Sequence, residues 1–179
     1  MFVQTENTPN PNSLKFLPGK IVSNNGSFEI MHKEKTNNEL IRNLLSINGV
    51  EGIFLGRDFI SINKQDKIDW EEIKHIVISL INDFYADGKE FVIDENIKEE
   101  VSDLSEIEEK IVKILEQKIR PAVARDGGDI KFKEFKDGVV KVQLQGSCSG
   151  CPSSTMTLKQ GVQNLLCHYL PEVKEVVAI

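Results

Sequence analysis

Cysteine and histidine are scarce in this sequence, with three of each among 179 residues. A small and odd number of cysteines in a chain of this length argues against a disulfide framework and favours a reducing compartment. The histidines, at positions 32, 75 and 168, are scattered without metal-ligand spacing. Structural zinc and iron–sulfur clusters usually take four protein ligands, so a metal site in this protein is short of ligands within one chain.

Long apolar runs and targeting patterns are also missing. No apolar run approaches the ~20 residues that a membrane helix needs, so we expect no membrane partner. Residues 1–6 have neither the basic-then-apolar pattern of a secretion signal nor the arginine-rich pattern of a transit peptide. These absences favour a bacterial cytoplasmic location, with the mitochondrial matrix as the alternative.

An excess of positive charge is absent as well. The formal net charge is −6, whereas nucleic-acid binding requires clustered Lys and Arg, so we expect no nucleic-acid partner. The charge is unevenly distributed: residues 105–179 carry 11 Lys and Arg against 10 Asp and Glu, and residues 1–104 carry 11 against 18. An acidic first part and a near-neutral second part indicate two modules.

The composition between the two parts indicates a linker. Residues 94–103 are acidic and contain no aromatic side chain, which is typical of linkers. We predict a first domain over residues 1–87, an acidic linker over residues 88–104 and a second domain over residues 105–179. The predicted fold class is α+β, with two small domains that resemble α/β sandwiches.

In the first domain, hydrophobic patterns predict short strands and two helices. A capping box of Thr36 with Glu39 predicts a helix that stops at Gly49, and a second box of Asp69 with Glu72 predicts a longer helix. The predicted strands cover residues 2–5, 14–17, 50–55 and 59–63, the last two forming a hairpin. The predicted core face of the longer helix comprises Ile73, Ile76, Val77, Leu80, Ile81 and Phe84.

The second domain is predicted to have the order α-β-β-α-β. Ser105 with Glu108 forms a third capping box, and the helix that it begins is kinked or ended by Pro121. The later elements are strands over residues 130–135 and 139–145, a helix over residues 153–169 and a strand over residues 173–178. Between the first two strands lies Asp137-Gly138, a dipeptide favoured in two-residue hairpin turns.

The most informative motif is a CxxC turn, GSCSGCP at residues 146–152, between the predicted hairpin and the last helix. The spacing of Cys148 and Cys151 lets two sulfurs converge on one metal. Pro152 suits the first position of a helix, and a helix N-terminus favours thiolate and bound negative charge. The motif therefore indicates thiolate chemistry, which zinc, iron–sulfur and thiol-redox proteins share.

Three functions fit two thiols at such a junction. In the first, another molecule supplies the missing ligands of an iron–sulfur cluster that the CxxC motif holds. A cluster held in this way at exposed loops should be transferable, because incoming thiolates can replace one side at a time. In the second, the pair is a thiol–disulfide oxidoreductase, although it follows a hairpin rather than the first strand of a βαβ unit. In the third, zinc bridges a structural dimer.

The third cysteine is not expected to join this pair. The apolar residues of the last helix recur at helical spacing and form one stripe: Leu158, Val162, Leu165, Leu166 and Tyr169. Cys167 is predicted to project from the opposite side, and a rise of ~1.5 Å per residue places it ~20 Å from the helix start. We expect an ordinary, half-exposed thiol.

A DGGD segment at residues 126–129 joins a helix to the hairpin. Paired glycines permit the positive φ of a helix stop followed by a turn. The two aspartates could bind a hard cation, but nothing nearby supplies the other oxygens. We therefore predict a structural role.

Several of these segments together resemble a known family. The second half is similar to the C-terminal NifU-like domain, through IRP at residues 119–121, DGGDI at 126–130, GSCSGCPSS at 146–154 and PEV at 171–173. The first half resembles the N-terminal domain of Nfu proteins, through QTE at residues 4–6, TPNPN at 8–12 and KFLPG at 15–19. The resemblance covers nearly the whole chain in the Nfu order.

The resemblance implies an iron–sulfur cluster scaffold or carrier rather than an enzyme. Such proteins bind a 4Fe-4S cluster between the CxxC motifs of a homodimer and pass it to apo-proteins, with 2Fe-2S as the alternative cluster. Carried over by position, the implied ligands are Cys148 and Cys151, and no catalytic residue is implied. The implied partners are the iron–sulfur assembly machinery and the recipient apo-proteins.

Overall fold

Two compact units, Met1–Asp94 and Glu95–Ile179, make up the chain. This computed structural model describes residues 2–24, 26–91, 103–149 and 152–179, the last range without the side chains of residues 152–154. The fold class is α+β, as predicted. Residues 92–102 of the predicted linker lie outside the described residues, so the bounds of the linker and of both domains stay predictions. Within the described ranges, no helix has both the length and the apolarity to cross a membrane.

The first unit is a five-stranded antiparallel sheet that packs against two helices. Its elements are β1 (Gln4–Asn7), β2 (Ser13–Leu17), β3 (Phe28–Ile30), a 3-10 turn (Lys33–Lys35), α1 (Glu39–Leu45), β4 (Val50–Leu55), β5 (Ile60–Lys64) and α2 (Trp70–Ala86). The strand order is β1-β2-β5-β4-β3. Alternation along β2 and β5 places Leu14, Phe16, Ile60 and Ile62 in one core with the apolar faces of both helices.

Of the two capping boxes predicted in this unit, one is confirmed and the other is wrong. The box of Asp69 with Glu72 is confirmed at the start of α2, where the Asp69 amide donates to Glu72 Oε1 at 3.3 Å. The predicted box at Thr36 is wrong, because Asn38 caps α1 and its side chain accepts the Ile41 amide at 3.1 Å. Thr36 instead accepts the Asn38 amide through its hydroxyl at 3.1 Å.

Other boundaries in the first unit also differ from the prediction. Helix α1 ends at Leu45 rather than at Gly49, which has a φ of +92° in the turn that leads to β4. Ile76 is 39% exposed and does not belong to the core. Strand β1 begins two residues later than predicted, and β3 has only three residues, too few to show an alternating pattern.

The second unit has the predicted α-β-β-α-β order. Its elements are α3 (Glu106–Ile114), a π turn (Leu115–Ile119), α4 (Arg120–Arg125), β6 (Gly128–Lys136), β7 (Val139–Gly146), α5 (Pro152–Tyr169) and β8 (Glu175–Ala178). Strands β6 and β7 are antiparallel, and β8 pairs in parallel with β7 after the α5 crossover. Asp137 and Gly138 have φ of +53° and +81°, as the predicted two-residue hairpin turn requires.

A π turn interrupts the first helical segment of this unit just before Pro121. The capping box of Ser105 with Glu108 is confirmed, with the Ser105 amide donating to Glu108 Oε2 at 2.8 Å. After Ile114 the chain makes the π turn, and α4 begins at Arg120. Proline has no N–H for the helix ladder, and the interruption of the α-helix lies just before Pro121. The helical segment does not end there, because α4 continues to Arg125.

One core fills the second unit. Its buried aliphatic residues are Ile111, Leu115, Val123, Ile130, Val140, Val142, Leu144, Val162, Leu166, Leu170, Val173 and Val176. The buried stripe of α5 thus continues to Leu170, which follows the helix. Tyr169 was expected in the stripe, but it is 49% exposed, because the next helical position after Leu166 on the core side is Leu170.

Candidate functional site

The CxxC turn begins where β7 ends. Gly146, the last residue of β7, has a φ of +66°, which glycine adopts without the steric penalty of a side chain. Its carbonyl accepts the Ser149 amide at 3.2 Å and the Ser149 hydroxyl at 2.9 Å. These two bonds close a tight turn that contains Ser147 and Cys148.

A second set of bonds ties this turn to the segment before β6. The Ser147 amide donates to the Gly127 carbonyl at 3.2 Å, and the Ser147 hydroxyl donates to the Asp126 carbonyl, 21 positions earlier in the sequence. Gly127 has a φ of +84°, which confirms the positive φ predicted at a helix stop. The turn that carries Cys148 is therefore stabilised by hydrogen bonds within the turn and by hydrogen bonds to the segment before β6.

The side chain of Cys148 is buried rather than presented on an exposed loop, which corrects the expectation from the sequence. It is 6% exposed and packs in the core of the second unit. Its carbonyl accepts the hydroxyl of Thr155 from α5 at 3.2 Å. The turn is thus joined to the helix that follows it, and the thiol is shielded from solvent.

Cys148 has its space because residue 128 has no side chain. A Cβ on Gly128 would lie 2.8 Å from Cys148 Sγ and 2.5 Å from the Gln145 carbonyl oxygen. Gly128 does not have a positive φ. Glycine is therefore needed at position 128 because there is no room for a side chain, and not because of the backbone conformation. The prediction of a structural role for the glycine pair did not include this contact, which depends on how β6 and β7 pair.

An ion pair between the half-buried Arg120 and the buried Asp129 lies beside the same segment. Arg120 donates from Nε to Asp129 Oδ1 at 2.9 Å and from Nη2 to Oδ2 at 2.7 Å. Asp129 Oδ1 also accepts the Ile130 amide at 2.8 Å. Sequence reasoning did not select this pair as part of the site, although both residues belong to the motifs that carry the family resemblance.

Cys151, the second predicted ligand, lies outside the described residues, so its role stays a prediction. In the sequence it directly precedes Pro152, where α5 begins. The junction of β7 with α5 therefore carries Cys148 in the described structure and both cysteines in the sequence.

The other candidate ligands are distant or scattered. Cys167 Sγ donates to the Val173 carbonyl at 3.2 Å and packs against the core, so the prediction that it faces away from the apolar stripe is wrong. It is half-buried and, at 1.5 Å per residue, stands roughly 22 Å along α5 from Pro152. Across the described residues, no three His, Cys, Asp or Glu side chains gather as a metal site would need.

Two family models match the chain, one to each half. The model described as "Scaffold protein Nfu/NifU N terminal" matches residues 3–88, and the model described as "NifU-like domain" matches residues 111–177. Their order along the chain is the one that the sequence motifs indicate.

Curated relatives match almost the full length of this chain. The protein named "NFU1 iron-sulfur cluster scaffold homolog, mitochondrial" from Drosophila simulans is 45% identical over 98% of this chain and 64% of its own length. The human protein of the same name is 43% identical over 98% of this chain and 71% of its own length. "NifU-like protein 4, mitochondrial" from Arabidopsis thaliana is 41% identical over 98% of this chain and 65% of its own length.

The chain spans about two thirds of the length of these relatives. Its N-terminal and C-terminal halves each match their own model, and the human relative is 43% identical over 71% of its length. The chain therefore belongs to the Nfu family, with an Nfu/NifU N-terminal domain followed by a NifU-like domain.

Proposed function

We propose that this chain is a carrier of iron–sulfur clusters and not an enzyme. A 4Fe-4S cluster is its cargo, Cys148 and Cys151 are the ligands, and a homodimer supplies four thiolates. The cluster passes from this dimer to apo-proteins that need it. The names of the relatives, which are iron–sulfur cluster scaffold homologs, support the carrier role.

The observation that carries the proposal is the position of Cys148 at the junction of β7 with α5. The turn places this residue in a fixed backbone frame just before a helix N-terminus, where the helix dipole favours thiolate and the net negative charge of a bound cluster. Each chain has two cysteines at this junction, and Cys167 is far along α5. Four cluster ligands therefore require two chains.

The burial of Cys148 adds a step to this proposal. A sulfur that is shared with a second chain has to reach the surface, and Cys148 is 6% exposed. We propose that the Cys148 side chain turns outward when the cluster binds, while the backbone bonds of Ser147 and Ser149 keep the turn in place. The chain's own contribution to binding is thus to supply the thiol and to hold the flanking backbone.

Partners and compartment follow from the same proposal. The assembly machinery donates the cluster, and the recipients are apo-proteins whose thiolates replace those of the carrier. Of the two compartments considered from the sequence, the mitochondrial matrix is the one that the relatives' names favour.

Anaerobic reconstitution tests the proposal. The purified chain is incubated with ferrous iron, sulfide and a reductant, with zinc added in a parallel sample. Iron and sulfide are then counted per chain, and the mass in solution is measured by light scattering. We expect about one 4Fe-4S cluster per two chains, and a dimer that forms with the cluster because cluster binding stabilises it by mass action.

Three results would count against the proposal. If the parallel sample takes up zinc and the sample with iron develops no visible absorbance, the result would indicate a zinc-bridged dimer. Reductase activity of the metal-free protein on a disulfide substrate, without cluster uptake, would indicate a thiol–disulfide oxidoreductase. A cluster-loaded monomer without an added small thiol would contradict the shared site.

A further inference from the structure

A two-point ion pair anchors the segment that borders the CxxC turn. Arg120 opens α4, and its Nε and Nη2 atoms meet the two carboxylate oxygens of Asp129 at 2.9 and 2.7 Å. This fork-to-fork geometry fixes direction as well as distance. Asp129 is 4% exposed and also accepts the Ile130 amide at 2.8 Å, so three donors hold its carboxylate in one orientation.

The helical segment that leads to Arg120 is irregular. The π turn Leu115–Ile119 directly precedes Arg120, and single π turns inside helices are rare and are frequently found at functional sites. On its other side, Arg120 Nη1 lies 3.7 Å from Glu116 Oε1. The guanidinium of Arg120 therefore lies between the carboxylates of Glu116 and Asp129, and Arg120 itself directly follows the π turn.

From Asp129 the constraint continues to Cys148 through the backbone. Asp129 pairs with Gln145 across the β6–β7 ladder, and Gly128 pairs with Gly146. Gly128 is the residue whose Cβ would meet Cys148 Sγ at 2.8 Å. Displacing Asp129 therefore displaces the backbone against which the Cys148 thiol is seated.

We propose that Arg120 is a positioning residue for cluster binding. Through its fork on Asp129 it holds the Gly128 backbone in place, and this backbone sets the position of Cys148. The inference rests on the proposed carrier function. The proposal concerns the geometry of the guanidinium, because a positive charge without its planar fork does not orient the Asp129 carboxylate in the same way.

Lysine at position 120 separates geometry from charge. Arg120→Lys keeps the positive charge and loses the planar fork, and Asp129→Asn keeps the shape of its partner and loses the carboxylate charge. Arg120→Lys keeps a cation beside the buried Asp129 carboxylate, and Asp129→Asn leaves a charge only on Arg120, whose side chain is 34% exposed, so both are expected to fold. Val140→Ala is the matched control, because Val140 lies in the same core at the far end of β7, roughly 20 Å from Gly146 at 3.3 Å per residue.

Two measurements on the full chain test the proposal. In the loaded protein, we follow the loss of the cluster to an iron chelator and the visible circular dichroism of the cluster, which depends on how the ligands are arranged. In the metal-free protein at one fixed pH, we measure the alkylation rate of Cys148 by peptide mapping. Urea unfolding gives the stability of every variant, so that the rates of cluster loss and alkylation can be compared between variants of similar stability.

We expect Arg120→Lys and Asp129→Asn to lose the cluster about tenfold faster than the wild type, as is typical when partners of metal ligands are removed. Their visible circular dichroism should change. Cys148 should be alkylated about tenfold faster, because local opening exposes its buried thiol to solvent more often. Val140→Ala should retain the wild-type spectrum and rates within about twofold.

The proposal is overturned if Arg120→Lys matches the wild type in cluster loss and in Cys148 alkylation, because charge alone would then suffice. It is also overturned if Val140→Ala accelerates both as much as Arg120→Lys, because general stability would explain the effect. If the wild type takes up no cluster, the carrier function fails. The alkylation rates of the metal-free variants then still decide whether Arg120 positions Cys148.

Discussion

Gly128 and Cys148 are in such close contact that a methyl group on residue 128 would lie 2.8 Å from the cysteine sulfur. The same methyl group would lie 2.5 Å from the carbonyl oxygen of Gln145, a backbone atom within the β6–β7 ladder. We therefore predict that Gly128→Ala costs about 1–3 kcal/mol of folding free energy, as overpacking typically does. Urea unfolding measures this cost. Reconstitution should show that the variant holds less cluster than the wild type.

Gly161→Ala is the control for this substitution. Gly161 lies within α5 and, apart from its chain neighbours and the nearby backbone of the helix, no atom of the described residues lies within 4 Å of the position that its Cβ would occupy. Because alanine is favoured over glycine in a helix interior by up to about 1 kcal/mol, this variant should be slightly more stable and load normally. Equal cluster loading by the two glycine variants would contradict the role given to the Gly128–Cys148 contact.

These contacts show which parts of the site the sequence could predict. Gly127 was predictable, because a helix stop is a local event and its φ of +84° follows from it. The need for glycine at 128 was not predictable, since it arises from a residue 20 positions later that strand pairing brings into contact. The fork between Arg120 and Asp129 likewise joins two different elements, α4 and β6, and no periodic pattern indicated the π turn before Arg120.

The helix caps show the same limit. The boxes that begin with Asp69 and Ser105 were predicted, because both partners lie within one helical turn. The cap of α1 was misplaced by two residues, since Thr36 and Asn38 are both good capping residues. The competition is resolved in the structure, where Thr36 accepts the Asn38 amide and leaves Asn38 to cap the helix.

The three cysteines are expected to differ in their effect on cluster binding. Cys148→Ser and Cys151→Ser should each abolish it, because each removes one of the two ligands that a chain supplies. Cys167→Ser should leave it largely intact, since Cys167 donates to the Val173 carbonyl at the far end of α5. Visible absorbance after reconstitution measures the three effects. If Cys167→Ser removed the chromophore as completely as Cys148→Ser, the ligand set would be wrong.

Tyr85 in the first unit has a buried hydroxyl with no hydrogen-bond partner among the described residues. Leaving such a group without a partner costs about 1–3 kcal/mol, so Tyr85→Phe should leave the stability unchanged or raise it by up to about 1 kcal/mol at neutral pH. Burial, with a smaller contribution from Glu90, raises the pKa of Tyr85 to about 12 from its ordinary value of 10.0.

The raised pKa of Tyr85 gives this prediction a pH dependence. The unfolded phenol ionises first, so the wild type loses stability as the pH rises above 10, whereas Tyr85→Phe lacks this loss. The advantage of the variant should therefore be larger at pH 11 than at pH 8 in urea unfolding. Tyr169→Phe, at a half-exposed position, serves as the control. An advantage that is the same at both pH values would contradict the burial of the Tyr85 hydroxyl.

The second unit is expected to hold the cluster without the first. Residues 105–179 contain all three cysteines, and their helices and sheet enclose a core of their own. A fragment of residues 105–179 should therefore fold cooperatively and, after reconstitution, hold the cluster with the same iron and sulfide per chain as the full protein. Thermal unfolding and visible absorbance measure the two properties.

The first unit is then expected to act in transfer rather than in binding. It has no cysteine, and its own core joins a five-stranded sheet to α1 and α2. Since it cannot ligate the cluster, we expect this acidic unit to select or orient recipients, so the fragment should transfer more slowly to a cognate apo-protein. The measurement is the rate at which the recipient regains activity when it receives equal amounts of cluster from each protein. Equal rates across several recipients would leave the first unit without this role. A fragment that folds but cannot hold a cluster would show that the second unit depends on the first.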